Sequence, residues 1–375
     1  MVSYLKAELK KFLTNPKTLL VLVLLPLLFT FIMGGVYVKT YLYDIPLVVL
    51  DSDNSSLSRT IVGEFASNPY FKVIGYVQSY RELEELVQAR EAYAGLVIPE
   101  DFAKDVKEGK APKSLFIVDG TNLVIGNNAL ARGAEILNTF TAGTQLKVLQ
   151  SQGMVPVMAE KTVQSFSFLD RILYDPRLSY IGYLFVGILG IFVQQTYLAV
   201  MVPELVTEKE ELAGQGGLTK IAVKSFVKGV LSFVTFAVCL FLASSVFNLP
   251  VRGELGYVLV LVAIFIFNLT VPALLISAFT RDVLKGSQIC MFLSVPTLLT
   301  AGYVWPEYMM PEPLIIGVKL FWPLIYYAGP ARDVLVKGVP FHVIWPYVWQ
   351  GLLYGIIWIP LAVAIYKKRL QVSQE

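Results

Sequence analysis

The chain has 375 residues, 55% hydrophobic and only 16% charged, with a formal net charge of +3. Soluble domains carry about 25% charged residues, so this composition excludes an ordinary water-soluble enzyme and points to a membrane protein. The charge is too small to imply a nucleic-acid partner, the single His342 excludes a histidine-rich metal site, and Cys239 and Cys290, both in apolar stretches, exclude a disulfide framework for the polar region.

Residues 1–17 place Tyr4, Leu5, Leu9, Phe12 and Leu13 among Lys6, Lys10, Lys11 and Lys17. That mixture predicts an amphipathic helix lying on an anionic cytoplasmic membrane surface. Residues 18–38 are apolar for long enough to cross a bilayer. They are too long for the core of a signal peptide, and Gly34-Gly35-Val36-Tyr37-Val38 lacks a small-x-small cleavage site, so an uncleaved anchor is expected.

Residues 44–175 alternate between strand and helix patterns. Strands are predicted over 45–50, 71–77, 92–98 and 114–118, and helices over 55–67, 80–91, 100–108 and 122–150. This order predicts a small α/β domain with a largely parallel sheet. Asp51, Asp53, Asp119 and Asn122 fall near strand ends, where such folds bind ligands, but these residue types are also what helix caps and turns require. In 153–175, Met154, Val155, Phe166, Phe168 and Leu169 suit a lipid surface or an exit path.

Five further apolar segments follow at 180–202, 229–249, 257–279, 287–304 and 344–365, with Pro26, Pro272, Pro296 and Pro360 inside spans. None of the six contains Asp, Glu, Lys or Arg. Ion-coupled transporters keep ionisable groups at membrane depth, so a transporter built this way takes its energy from a separate chain. The neutral polar groups Gln194, Gln195, Thr196, Asn268 and Thr270 fit a substrate pathway or hydrogen bonds between helices. Gln288 and Thr297 are of the same kind, and Gly351-x-x-x-Gly355 supports close helix packing.

Lysines and arginines crowd one set of short connections: Lys6 to Lys17, Lys209 to Lys228, Arg281 with Lys285, and Lys367 to Arg369. By the positive-inside rule both termini are cytoplasmic and the large domain is outside. The cytoplasmic loop 204–228 opens with alternating charges that predict a short exposed helix over 204–214, suited to docking in a partner's groove. Residues 305–343 read as an outer hairpin that does not span, with Trp305, Trp322, Tyr326 and Tyr327 as interfacial aromatic anchors. The predicted architecture is therefore a polytopic α-helical membrane protein of six transmembrane helices with an inserted extracytoplasmic α/β domain. Its parts are 1–17, 18–38, 44–175, 180–366 with the loop and hairpin, and a cytoplasmic tail at 367–375.

No GxSxG, HExxH or Cys/His cluster is present, and Gly214-Gln-Gly216-Gly217 lacks the Gly-Lys-Ser/Thr of a phosphate loop. No catalytic, cofactor-binding or metal site is expected. A membrane-anchored receptor or envelope interaction protein, its external domain holding a ligand or partner, is the alternative reading. Six spans exceed what an anchor needs.

Several motifs occur in a specific order. They are Asn15-Pro16-Lys17 and Pro26, Asp51-Ser-Asp53-Asn-Ser-Ser-Leu-Ser58, and Ile98-Pro99-Glu100-Asp101-Phe102. Val118-Asp119-Gly120-Thr-Asn122, Glu208-Lys209-Glu210, Gly302-x-x-Trp305-Pro306, Met310-Pro311 and Arg332 follow. In this order they resemble the permease subunits of type-2 class ABC exporters with a large external domain after the first helix. The chain departs from that pattern at Leu212-Ala213 and Thr219-Lys220, where the family has Gly-Thr and Thr-Pro. The resemblance implies a second permease, as homo- or heterodimer, cytoplasmic ATPase subunits that hold ATP and Mg, and outward movement of an amphipathic, drug-like or lipid-like substrate. It implies coupling to the ATPase through Glu204, Glu208, Lys209, Glu210 and Glu211. It also places Trp305, Pro306, Met310 and Pro311 in the outer hairpin.

Overall fold

A computed structural model describes residues 2–37, 42–163, 173–175, 179–214 and 216–372. The chain divides into two compact units. Residues 39–179 form one, and the segments on either side of them form the other.

In chain order, the helical unit begins with α1 (Val2–Thr14) and α2 (Pro16–Tyr37). Asn15 separates them and caps α2 by accepting from the Lys17 and Thr18 amides. A π-helical turn at Leu20–Leu24 precedes Pro26, whose ring cannot donate to the carbonyl four residues back.

The unit of residues 39–179 is built from β1 (Ile45–Asp51), α3 (Ser56–Ser67), β2 (Phe71–Tyr76), α4 (Tyr80–Gln88), β3 (Ala94–Ile98), α5 (Phe102–Lys107), β4 (Leu115–Val118), α6 (Leu123–Ser151) and α7 (Pro156–Val163). The sheet order is β2-β1-β3-β4. The first two pairings are parallel and β3–β4 is antiparallel. Alternation along the central strand sends Leu47 and Val49 to one face and Val48 and Leu50 to the other. Both faces are covered, which is why β1 is one continuous apolar run. The first face packs on Ile61 and Phe65 of α3 and Ala129 of α6, the second on Leu83 of α4. Phe166, Phe168 and Leu169 lie outside the described residues. Val155 is exposed and Met154 half-buried.

The helical unit resumes with α8 (Tyr180–Thr207), α9 (Lys209–Ala213), α10 (Gly217–Val246), α11 (Leu255–Asn268), α12 (Thr270–Phe279), α13 (Val283–Thr300), α14 (Glu312–Phe321), α15 (Ala328–Arg332) and α16 (Phe341–Val372). Among the described residues six helical stretches are long and apolar enough to cross a membrane, with α11 and α12 counted as one. The break between those two falls at Leu269, where Pro272 clashes with the carbonyl of Asn268 and cannot donate to it. At α14 the chain bends by 95° into Pro323–Lys337, a broken span or a re-entrant loop.

Two expectations change here. The helix that carries the third span starts at Gly217, so Lys220, Lys224 and Lys228, expected in the loop 204–228, belong to its first turns, ahead of the charge-free stretch 229–249. Tyr326 and Tyr327 are not interfacial anchors. Both are buried, and Tyr327 stacks on Phe265 at 4.9 Å while donating to the Val186 carbonyl. The segment between α14 and α15 folds back on α8 and cannot present these rings to a membrane surface.

The centre of this unit is α8, which packs against α2, α10, α12, α13 and α15. Close approach is possible because Gly187 receives the Tyr303 ring and Gly190 the Tyr327 ring. The Tyr303 hydroxyl donates to the Tyr183 carbonyl, and the Tyr183 hydroxyl donates to that of Val304 at 3.0 Å. Arg332 lies over both rings, 4.6 Å from Tyr303 and 5.2 Å from Tyr183, and donates to the Tyr303 carbonyl at 2.8 Å.

Candidate functional site

Where α1 meets the ends of α8 and α10, six charges converge. Glu204 in the last turn of α8 and Glu208 just past its end are four residues apart, with the Glu208 amide still donating to the Glu204 carbonyl; Lys224 and Lys228 are four apart on α10, and Glu8 and Lys11 three apart on α1. Each pair therefore shares one helix face. Lys228 Nζ lies 2.6 Å from Glu8 Oε1 and 2.8 Å from Glu204 Oε2. Lys224 Nζ lies 2.8 Å from Glu208 Oε2, 3.1 Å from Glu204 Oε2 and 3.4 Å from Glu8 Oε2. Lys11 closes the set at 2.6 Å from Glu208 Oε1. The Lys224 and Lys228 side chains are only 7% and 3% exposed, so water does little of the solvation and the carboxylates must do it.

Three carboxylates meet three ammoniums, and the cluster is neutral as a whole. Burial by itself raises the Glu8 carboxyl pKa, but Lys228, Lys224 and Lys11 outweigh it. Likewise burial raises Glu208, and its hydrogen bonds with Lys11 and Lys224 outweigh that. Both acids therefore sit below the ordinary value of 4.5. A depressed carboxyl stabilises the fold above its unfolded pKa and loses that contribution as pH falls through the folded pKa. Thermal stability is thus expected to hold from neutral pH down to about 4.5 and to fall below it, less steeply in Glu8→Gln, as a melting series from about pH 3 to 7 would read.

Next to the cluster, α9 is held in place on several sides. The Lys209 ammonium donates to the Thr280 carbonyl at 2.6 Å, capping the end of α12. Burial and the nearby Arg281 lower the pKa of Lys209. Leu212 is fully buried, and a Cβ at Gly217 would overlap the Leu212 carbonyl, so α10 can begin there only with glycine. The Tyr366 hydroxyl of α16 donates to the Leu205 carbonyl.

The helix predicted as exposed over 204–214 is therefore two pieces. Glu204 lies inside the last turn of α8, Glu208 follows that helix, and Lys209 opens α9; all three are half-buried and engaged within the chain. Glu210 and Glu211 are exposed, the latter 2.7 Å from Lys220. Burial decides this, because the α1 and α10 charges draw the two glutamates inward. Glu8, Lys11, Lys224 and Lys228 escaped the sequence reading, which took the lysines only as flanking charge. The complementary four-residue spacings of Glu204/Glu208 and Lys224/Lys228 are the signal that could have found them.

Each polar residue of the expected pathway is packed among helices. Gln194 is buried and accepts from Trp322 Nε1 at 3.0 Å. Gln195 donates to the Cys290 carbonyl at 3.1 Å, and Thr196 to that of Val193 at 3.0 Å. Asn268 donates to the Gly351 carbonyl at 2.8 Å, and Thr270 shares a hydrogen bond with Tyr197. The structure does not gather them around one cavity. In the hairpin, Trp305 is exposed, Pro306 opens a 3-10 turn that Met310 ends, and Pro311 precedes α14.

In the other unit, the strand-end polar residues are consumed locally. Asp51 accepts from the Asp53 and Asn54 amides and the Ser58 hydroxyl, and Asp53 from the Ala103 amide. Asp119 accepts from the Thr121 amide, and Asn122 caps α6.

A helical unit of six potential spans with an α/β unit inserted after the first defines a polytopic membrane protein. The sequence profile of the ABC-2 family transporter protein matches residues 16–364, and the chain belongs to that family: it is a membrane permease of an ABC transporter. It is similar to the inner membrane transport permease YhhJ of Escherichia coli, 21% identical over 335 residues covering 87% of this chain and 86% of that one. It is also similar to the probable multidrug ABC transporter permease YbhS of Escherichia coli, 20% identical over 347 residues covering 88% and 87%. A shorter match, 27% identical over 129 residues, links 34% of the chain to 17% of the ABC transporter G family member 20 of Dictyostelium discoideum.

Proposed function

We propose that this permease is one of two membrane halves of an ATP-driven exporter that moves an amphipathic, drug-like or lipid-like substrate outward. Its ATPase is a separate cytoplasmic subunit, which holds the ATP and Mg. Both termini and α9 lie on the cytoplasmic side and the α/β unit lies outside, in keeping with the lysines of α1 and the 209–228 region. The multidrug designation of one similar permease supports the substrate class.

The observation that carries the mechanism is the wiring of α9. Its own residues and the adjoining Glu208 touch α1, α10 and the end of α12, while Glu210 and Glu211 stay exposed. Glu210 and Glu211 meet the ATPase, and Glu204, Glu208 and Lys209 pass its displacement to the membrane helices as one body. Gln194, Gln195, Thr196, Asn268 and Thr270 then shift with the helices they join and border the substrate's path.

Two variants separate contact from wiring. Glu210→Ala with Glu211→Ala is expected to weaken co-purification of the ATPase by about tenfold with an unchanged melting temperature. Glu208→Ala is expected to lower both. Wild-type ATPase recovery by the double variant would sink the contact assignment.

A further inference from the structure

We infer that the α/β unit carries a binding site for a neutral, elongated amphiphile, in the cleft between the α5–β4 connection and the α6–α7 pair. This goes beyond the transport reading, since the ligand's class follows from the lining alone and no step of transport enters it.

α6 is longer than its sheet needs. Its 29 residues extend about 44 Å at 1.5 Å per residue. Its buried residues, Gly126, Asn128, Ala129, Gly133 and Ile136, all lie in the first half. Beyond Ile136 none of its residues is fully buried, Leu137 and Phe140 rest on the edge of the core, and a cleft of about 580 Å³ opens beside it. That volume is in the range of small-molecule sites.

One wall is apolar, made by Phe102 and Val106 of α5 and by Leu137 and Phe140 of α6. Thr144, Gln145 and Gln152 of α6 and Ser114 before β4 line the same cleft. These four side chains make no hydrogen bond to another described residue, so their donors and acceptors are available to a ligand. Val148 and Leu149 lie between Gln145 and Gln152, so apolar and neutral hydrogen-bonding groups share the length of the cleft, which matches an elongated molecule with an apolar body and an uncharged polar group.

Among the described residues the only charged one in the lining is Lys110, and its ammonium is already held by Glu108 at 2.7 Å and Asp105 at 3.0 Å. A ligand carboxylate would find that cation neutralised, and a ligand cation would find no free carboxylate in the lining. The cleft on the other side of α6 differs. It is lined by Glu64, Glu135 and Lys147, without a comparable apolar wall, and has the character of ordinary surface.

The test uses the full chain in nanodiscs and a long-chain fatty alcohol bearing a diazirine, with cross-linked peptides mapped by mass spectrometry. Saturable labelling within residues 102–114 and 137–152 is expected, displaced by the plain alcohol. Thr144→Trp fills the cleft and is expected to cut that labelling about tenfold while leaving labelling of the membrane helices and the melting temperature unchanged. The matching carboxylic acid and quaternary amine are expected to label the cleft at least about tenfold more weakly. Labelling confined to the membrane helices, or cleft labelling indifferent to competitor and to Thr144→Trp, would overturn the site. Equal labelling by all three head groups would overturn the neutral class.

Discussion

Replacing Lys228 by methionine is expected to destabilise the helical unit by about 3–5 kcal/mol, the range for removing one partner from a buried ion pair. The side chain is 3% exposed and is a partner of both Glu8 and Glu204. Methionine fills much of the same volume but leaves three carboxylates facing two ammoniums. The excess negative charge is buried, so water cannot take over its solvation. Glu8→Gln in the same chain restores neutrality, and the double variant is expected to recover part of the loss. The coupling energy should fall within about 0.5–3 kcal/mol. Melting temperatures of the four chains in nanodiscs complete the cycle. A single variant within about 1 kcal/mol of wild type, or strictly additive effects, would mean that the cluster does not act as a unit. If α1 and α9 move as one body, Lys228→Met also lowers transport-coupled ATP hydrolysis, and Glu8→Gln in the double variant raises it again.

Gly190 of α8 is expected to be intolerant of a larger side chain. A Cβ there would overlap the Tyr327 ring. That ring is fully buried, stacked on Phe265 at 4.9 Å, edge-on to Phe236 at 5.8 Å, and tied to the Val186 carbonyl at 2.8 Å. It cannot withdraw without losing its own contacts. Overpacking costs about 1–3 kcal/mol and outweighs the gain of about 1 kcal/mol that alanine brings to a helix. Gly190→Ala should therefore lower the melting temperature, and Gly190→Leu should fail to yield folded protein. Gly35 of α2 is the control, because a Cβ there meets nothing within 4 Å. Gly35→Ala should be neutral or stabilising. Equal melting temperatures for Gly190→Ala and Gly35→Ala would show that the Tyr327 contact is soft.

Much of the architecture was legible because its signals are local. Residues 45–50 read as a buried strand from their apolar run, and Ser55 and Asn122 mark helix starts through side chains that cap the next amides. The membrane segments follow from length and the absence of charge. The site was less legible, because its members come from three distant stretches. Lys224 and Lys228 read equally well as flanking positive charge or as buried partners, and only Glu8 and Glu204 decide between these. Tyr327 reads as an interfacial ring until Gly190 supplies the recess that draws it inward.

From its residues alone, then, the chain determined a membrane protein with an inserted α/β unit and a family pattern, since apolar length, period-two alternation and capping chemistry act within a few residues of one another. Tertiary structure decided which charges are exposed and which are buried. A lysine's cost of burial depends on carboxylates some 200 positions away in the chain, as with Lys228 and Glu8. No local pattern encodes such a pairing; it exists only once α1, α8 and α10 have packed.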